Sequence, residues 1–196
     1  MGKGKHARIR VTQEAKEDMQ VWERFLGSFN GYNLFMPEKW LSERTLNLYT
    51  DAAGSIGYGG ILGAKWFCGE FDEREKSIDI TTLELYPIVM ATILWANNLS
   101  NLNLIIHTDN QALVYIINNQ TVKNNERCLR LLRLFVLNCM KSSILIKAQH
   151  IPGKQNRWAD MLSRQQVQAF LAEATHANRK PTQIPPGHSL KSLIGI

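Results

Sequence analysis

The 196-residue sequence predicts a mixed α/β fold: a five-stranded sheet, three strands antiparallel and the rest parallel, flanked by helices. Three stretches carry that prediction. GYGGILGAKWFCGEF, residues 57–71, alternates apolar with small or polar residues around interior glycines, as a hairpin does. TLELYPIVMATILWANN, residues 82–98, spaces Leu83, Ile88, Ala91 and Trp95 for a helix lying on a sheet. After it, short β-prone runs alternate with helical ones, the pattern of parallel strands joined by helical crossovers.

In chain order the elements are strands 46–51, 56–63 and 65–71, helix 82–98, strand 103–108, helices 110–119 and 126–140, strand 144–149 and helix 155–171. Pro87 lies about one turn inside the first long helix, so a start at Thr81 or Thr82 with a mild bend is expected. Upstream, Met19, Trp22, Phe25, Leu26 and Phe29 recur at three- and four-residue spacing. They mark an amphipathic helix, capped by Thr12 and ending near Gly31. Three regions follow: a basic arm with an amphipathic connector over 1–45, a main domain over 46–164, and a tail over 165–196. Pro181, Pro185 and Pro186 make that tail read as a linker after a helical extension.

Composition narrows the partners. Net charge is +6, from 23 Lys and Arg against 17 Asp and Glu, which favours a polyanionic partner. Cys68, Cys128 and Cys139 have no CxxC spacing, so neither a disulfide framework nor a zinc knuckle is indicated, and a reduced, intracellular setting is expected. The basic start MGKGKHARIR lacks the apolar core of a signal peptide, and no run suits a membrane span.

The carboxylates are the chemically informative residues. Asp51 ends the first strand, Glu84 opens the first long helix, Asp109 follows LNLIIHT at a strand end, and Asp160 lies early in the last helix. At one edge of an open sheet, strand ends and nearby helix starts meet, and ligands bind there. Four hard oxygen donors at such an edge repel each other and select Mg²⁺ or Mn²⁺, and a pair of such ions suits phosphodiester hydrolysis. Singly, each residue is equally at home as a turn former or helix-end residue. The glycines between Gly54 and Gly60 let a sugar-phosphate strand approach Asp51, and hairpin geometry explains them equally well.

Four segments, LYTDAAGSIGYGGIL, TTLELYPIVMA, IIHTDNQALVYII and AQHIPGKQNRWADMLSR, resemble the successive motifs of ribonuclease H domains of retroelement reverse transcriptases. The resemblance spans about residues 46–164 and is greatest to tyrosine-recombinase (DIRS-type) retrotransposons. It implies a ribonuclease H-like fold, and a metal set of Asp51, Glu84, Asp109 and Asp160 holding two Mg²⁺ or Mn²⁺ ions. It also implies a mobile histidine, His150, and cleavage of the RNA strand of an RNA/DNA hybrid to leave a 3′-hydroxyl and a 5′-phosphate. VWERFLGSFNGYNLF resembles what precedes this domain in such polyproteins, so the polymerase domain of the same polyprotein is an expected partner.

His150, in a Pro-Gly loop, suits proton transfer or product release near neutral pH. His107, inside an apolar strand, is a packed or exposed sheet residue rather than a ligand. Nucleic-acid contacts are expected at Ala52, Ser55, Asn110, Gln111 and Asn156; Asn110 and Gln111 suit hydrogen bonds to phosphate or the 2′-hydroxyl, and helix capping and surface polarity explain those two equally well. Lys123, Arg127, Arg130 and Arg133 form a candidate phosphate-tracking stripe or a solvated helix face. Between Asp109 and His150 there is no room for the additional basic helix of cellular members, which points to the polymerase domain for grip. Integrases place their glutamate on the last helix, and exonucleases pair Asp-x-Glu where Ala53 stands here, so both are disfavoured. The alternative is a non-catalytic, nucleic-acid-binding domain of the same fold. An intracellular location, cytoplasmic or nuclear, is expected.

Overall fold

A computed structural model of the chain describes residues 10–27, 29 and 44–195. The basic arm up to residue 9 and the expected helix end at Gly31 lie outside them. β1 (Thr45–Ala53), β2 (Gly57–Leu62) and β3 (Lys65–Glu70) form an antiparallel meander, with Asp51 opposite Gly59 and Ile61 opposite Trp66. The tight β2–β3 turn uses Gly63 at φ +58°, a conformation that penalises any residue bearing a Cβ. β4 (Asn103–Thr108) pairs parallel to β1, and β5 (Leu145–His150) parallel to β4, giving the strand order β3-β2-β1-β4-β5.

α2 (Ile80–Leu94) starts before Thr81 or Thr82 because Asp79 caps it: its carboxylate accepts from Thr82 N at 3.0 Å and Thr82 Oγ1 at 2.7 Å. Trp95 ends the helix, and a short α3 (Ala96–Leu99) follows where periodicity predicts one helix to residue 98. α4 (Gln111–Asn119) and α5 (Glu126–Lys141) are capped by Asn110 and Asn125 and fill the span between Asp109 and His150, leaving no further helix there. The helix expected over 155–171 is two, α6 (Arg157–Ser163) and α7 (Val167–Glu173). Gln165 breaks it with φ 60°, a turn that lets its Nε2 donate to Gly69 O of β3 at 2.7 Å.

Alternation along the strands loads the two sheet faces differently. Leu48 and Ala52 of β1, Leu104 and Ile106 of β4 and Ala148 of β5 join α2, α4 and α5 in the larger core. On the other face Ile61 and Trp66 meet Leu162 of α6 and Phe170 of α7, with the Trp66 and Phe170 rings edge to face at 5.3 Å. The buried glycines of β2 serve this packing: a Cβ at Gly59 would run into Leu162, and one at Gly60 into the Phe67 ring. Close internal approach therefore explains them, rather than access for a sugar-phosphate strand. Trp66 and Trp95 are core residues, and Trp158 is half-buried beside His176. The three cysteines are free thiols, and among the described residues no helix is long and apolar enough to cross a membrane.

The proline-bearing tail is docked, in contrast to its reading as linker. Asn178 N donates to Ala64 O at 2.8 Å and Thr182 N to Trp66 O at 2.7 Å, so the chain runs along the outer side of β3. Trp66 Nε1 donates to Asn178 O, Trp95 Nε1 to Thr182 Oγ1, and the Tyr86 hydroxyl to His188 O. α8 (Leu190–Ile194) then buries Leu190 and Ile194 in the larger core, anchored where the buried Glu75 carboxylate accepts from Lys191 N at 3.0 Å.

α1 (Gln13–Gly27) is capped by Thr12, whose Oγ1 accepts from Ala15 N at 3.2 Å, and buries no residue of its own. It is held to α5 by Arg133, which donates to Glu17 at 2.5 Å, Asp18 at 2.8 Å and Glu14 O at 3.0 Å. A 15-residue helix with so little burial is marginal alone. Arg133→Ala is therefore expected to abolish amide-exchange protection in residues 13–27, while lowering the unfolding free energy of the sheet domain by less than about 1 kcal/mol. Unchanged protection in α1 would show that Arg133 does not hold it.

Candidate active site

Because β1 and β4 are parallel neighbours, Asp51 near the end of one and Asp109 just beyond the other leave the sheet at the same edge. Leu48, Thr50 and Ala52 turn into the larger core, so Asp51 faces α6. Two bonds pin α6 over β1: Asn156 Nδ2 donates to Thr50 O at 2.9 Å, and Ser163 Oγ lies 2.5 Å from Asp51 Oδ2. Asp160, three residues before Ser163, is half-exposed beside Asp51 and accepts from Arg164 Nε at 2.7 Å. Glu84, the fifth residue of α2 rather than one of its first turn, reaches the same edge, where the Asn110 side chain favours its charged form.

Asp51 stands at the centre of the electrostatics, coupled to Glu84, Asp109 and Asp160. Burial, joined by the charges on Asp51 and Asp109 and opposed by the Asn110 side chain, pushes Glu84 up to about 7. Burial likewise raises Asp51; the Ser163 bond opposes this, and the charges on Asp109 and Asp160 add to it, with Arg164 in partial compensation. The site holds an excess of negative charge, which is the condition a divalent cation relieves, and its donors are the hard oxygens such a cation prefers. Among the described residues no group of three or more His, Cys, Asp or Glu side chains is close enough to hold a metal ion. Asp51 is thus within electrostatic reach of the other three, and Glu84 of Asp51 and Asp109, and among the described residues they fall short of an assembled ligand shell.

A cleft of 480 Å³ opens beside them, lined by Asp109, Gly153, Lys154, Asn156, Arg157 and Asp160. Its loop presses on Asp109, since a Cβ at Gly153 would stand 3.1 Å from Asp109 Oδ2. His150 is the last residue of β5, not a loop residue, and lies exposed opposite Thr108, one position before Asp109. Of the expected nucleic-acid contacts, Ser55 is exposed in the β1–β2 turn and Gln111 on the first turn of α4. Asn110 caps α4 through its Oδ1, and Asn156 is 2% exposed with its Oδ1 unpartnered among the described residues. Ala52 belongs to the core, so only its backbone is available to a ligand. The basic stripe does not exist as one surface: Arg133 is bound to α1 and Arg130 to Glu126 and Ile194 O, which leaves Lys123 and Arg127 exposed. His107 is packed, its ring stacked on Tyr49 at 4.5 Å and its Nε2 2.8 Å from Asn47 Oδ1.

Sequence reasoning missed Ser163 and Arg164, which hold Asp51 and Asp160. Their signal was present: positions three and four after Asp160 share its helix face.

The raised Glu84 pKa has a consequence for stability. A carboxyl that titrates near 4.5 when unfolded and about 7 when folded contributes stability that is fully present below pH 4.5 and lost as pH rises through about 7. In EDTA, urea unfolding is expected to show a fall on the order of 2 kcal/mol between pH 5 and 8, and Glu84→Gln is expected to remove most of that fall. An equal fall in the variant would assign it to other groups.

The model of the RNase H-like domain found in reverse transcriptase matches residues 42–139, a span that includes Asp51, Glu84 and Asp109 and stops before His150 and Asp160. None of the curated proteins compared with the chain matches it. Among solved structures, RNase H1 of the halophilic archaeon Halobacterium salinarum NRC-1 superposes with a TM-score of 0.51 at 12% identity, covering 64% of this chain and 97% of that one. The N-terminal RNase H domain of a Mycobacterium tuberculosis protein, solved as a fusion with maltose-binding protein, gives 0.49 at 13% identity, over 66% and 98%. At such identity the archaeal likeness speaks for the fold, which is RNase H-like. With the family model spanning half of its residues, the chain belongs to the RNase H-like domains found in reverse transcriptases.

Proposed function

We propose that this domain hydrolyses the RNA strand of RNA/DNA hybrids as the ribonuclease H part of a reverse transcriptase polyprotein of the DIRS-type retrotransposon class. The observation that carries the reading is the gathering of Asp51 of β1, Glu84 of α2, Asp109 of the β4–α4 junction and Asp160 of α6 at one edge of the sheet. Those four would hold Mg²⁺ or Mn²⁺, two ions in the reading we favour. When bound, the metal supplies Lewis-acid stabilisation of the phosphoryl oxygens and lowers the pKa of an attacking water. Ser163 orients Asp51 by its hydrogen bond, and Arg164 neutralises part of the charge on Asp160. Lys154 and Arg157, in the cleft beside Asp109, would meet phosphate, and the exposed Gln111 and Ser55 would meet the sugar edge. His150, exposed at the end of β5, serves as a proton shuttle or assists product exit. The polymerase domain and the hybrid itself are the expected partners, in the cytoplasm or nucleus.

The test is cleavage of an end-labelled RNA/DNA hybrid by the purified chain in Mg²⁺ or Mn²⁺, with EDTA and an all-DNA duplex as controls. Metal-dependent cutting confined to the RNA strand supports the reading. Hybrid binding without cutting in either metal would favour a non-catalytic binding domain.

A further inference from the structure

α1 carries apolar residues on two sides, and the fold uses one. Toward α5 it turns Val21, Phe25 and the carboxylates that bind Arg133, and Trp22 stands where this side meets the next, lining the same groove. About a quarter-turn away, Ala15, Met19, Trp22 and Leu26 follow one another at steps of four, three and four residues. Met19 and Trp22 are each 55% exposed and Leu26 65%. Such spacing is a coiled-coil seam, with Met19 and Leu26 at one core position and Ala15 and Trp22 at the other. The seam continues into a 640 Å³ groove between α1 and α5, floored by Val122, Leu129, Val136 and Met140.

Flanking charges decide what this seam fits. Lys16 and Glu23 stand on its outer shoulder, both exposed, and Asp18 stands on its inner shoulder. Two copies packed parallel would set Asp18 of one against Glu23 of the other, which repel. An antiparallel pair centred between Gln20 and Val21 behaves differently: Met19 meets Trp22 of the second copy, and Ala15 meets Leu26, small against large. In the same register Lys16 meets Glu23 of the second copy, and two-fold symmetry makes that ion pair twice.

We propose that α1 is a self-association surface, on which a second copy of this chain docks its own α1 antiparallel. The contact is modest in extent, so the pair is a weak dimer rather than an obligate one.

Sedimentation of the full chain over roughly 1 to 200 µM tests this, with half-dimerisation expected at tens of micromolar. Leu26→Ser, at an exposed position, is expected to leave the melting temperature unchanged and the chain monomeric throughout. Lys16→Glu sets like charges together twice and is expected to weaken association about tenfold, and Lys16→Glu with Glu23→Lys is expected to restore it. A wild-type chain that stays monomeric across the range overturns the proposal. So does a dimer that Leu26→Ser leaves intact, or a double charge reversal that fails to restore what the single one lost. A monomeric chain that instead captures a reverse transcriptase polymerase fragment through Trp22 and Leu26 would assign the seam to that partner.

Discussion

Asp109→Asn is expected to lower RNA-strand cleavage by on the order of 10³-fold while the domain keeps its fold. Asp109 is exposed just beyond β4, and an amide of the same shape disturbs no packing there. The substitution does remove one of the charges that raise Glu84 and Asp51, so the metal-free protein should be as stable as wild type or slightly more so. Metal should reveal the difference. Stabilisation by Mg²⁺ or Mn²⁺, read as a shift in melting temperature, should be lost in the variant along with cleavage, because a ligand stabilises only the fold that binds it. Cleavage retained within tenfold of wild type would remove Asp109 from the site. Cleavage lost together with a large drop in metal-free melting temperature would make its role structural.

The second large effect concerns a residue with no chemistry at all. Gly59→Ala places a methyl where α6 crosses β2, against Leu162 and within 3.1 Å of Ser163 N. Neither neighbour is the free end of a flexible side chain, so the helix must lift. A cost of about 2–3 kcal/mol is expected, measurable by urea unfolding. Activity should fall further than stability explains, because the same helix carries Asp160 and positions Ser163 on Asp51. A variant as stable and active as wild type would mean that α6 tolerates displacement and that its placement is not what orients Asp51.

That glycine also shows where reading the sequence stops. Alternation in residues 57–71 and the capping and periodicity of residues 103–119 were legible because they are local: strand and helix periods differ, and Asn110 announces a helix start. Asp51 and Asp109 could be placed together because parallel pairing of β1 with β4 follows from the order of elements. Two features depend on partners distant in sequence and left no local mark. Gly59 reads as hairpin chemistry until Leu162 is seen above it. Pro181, Pro185 and Pro186 read as linker until Thr182 is seen bonded to Trp66 and Trp95. The basic stripe failed for the same reason, since nothing in the sequence of α5 says that Arg133 is spent on Glu17 and Asp18 of α1.

The strap formed by residues 178–195 bears on how the chain comes off the ribosome. All five strands are translated before it, so β3 emerges as an open sheet edge, and the slots that receive Leu190 and Ile194 emerge uncovered. For as long as the strap remains in the exit tunnel, the nascent domain offers a strand-pairing edge and apolar surface to its neighbours. Sealing is therefore a late, single event that depends on synthesis running past residue 195. Messages truncated at the end of the motif-bearing region would release a sheet with its chemistry present and its edge open.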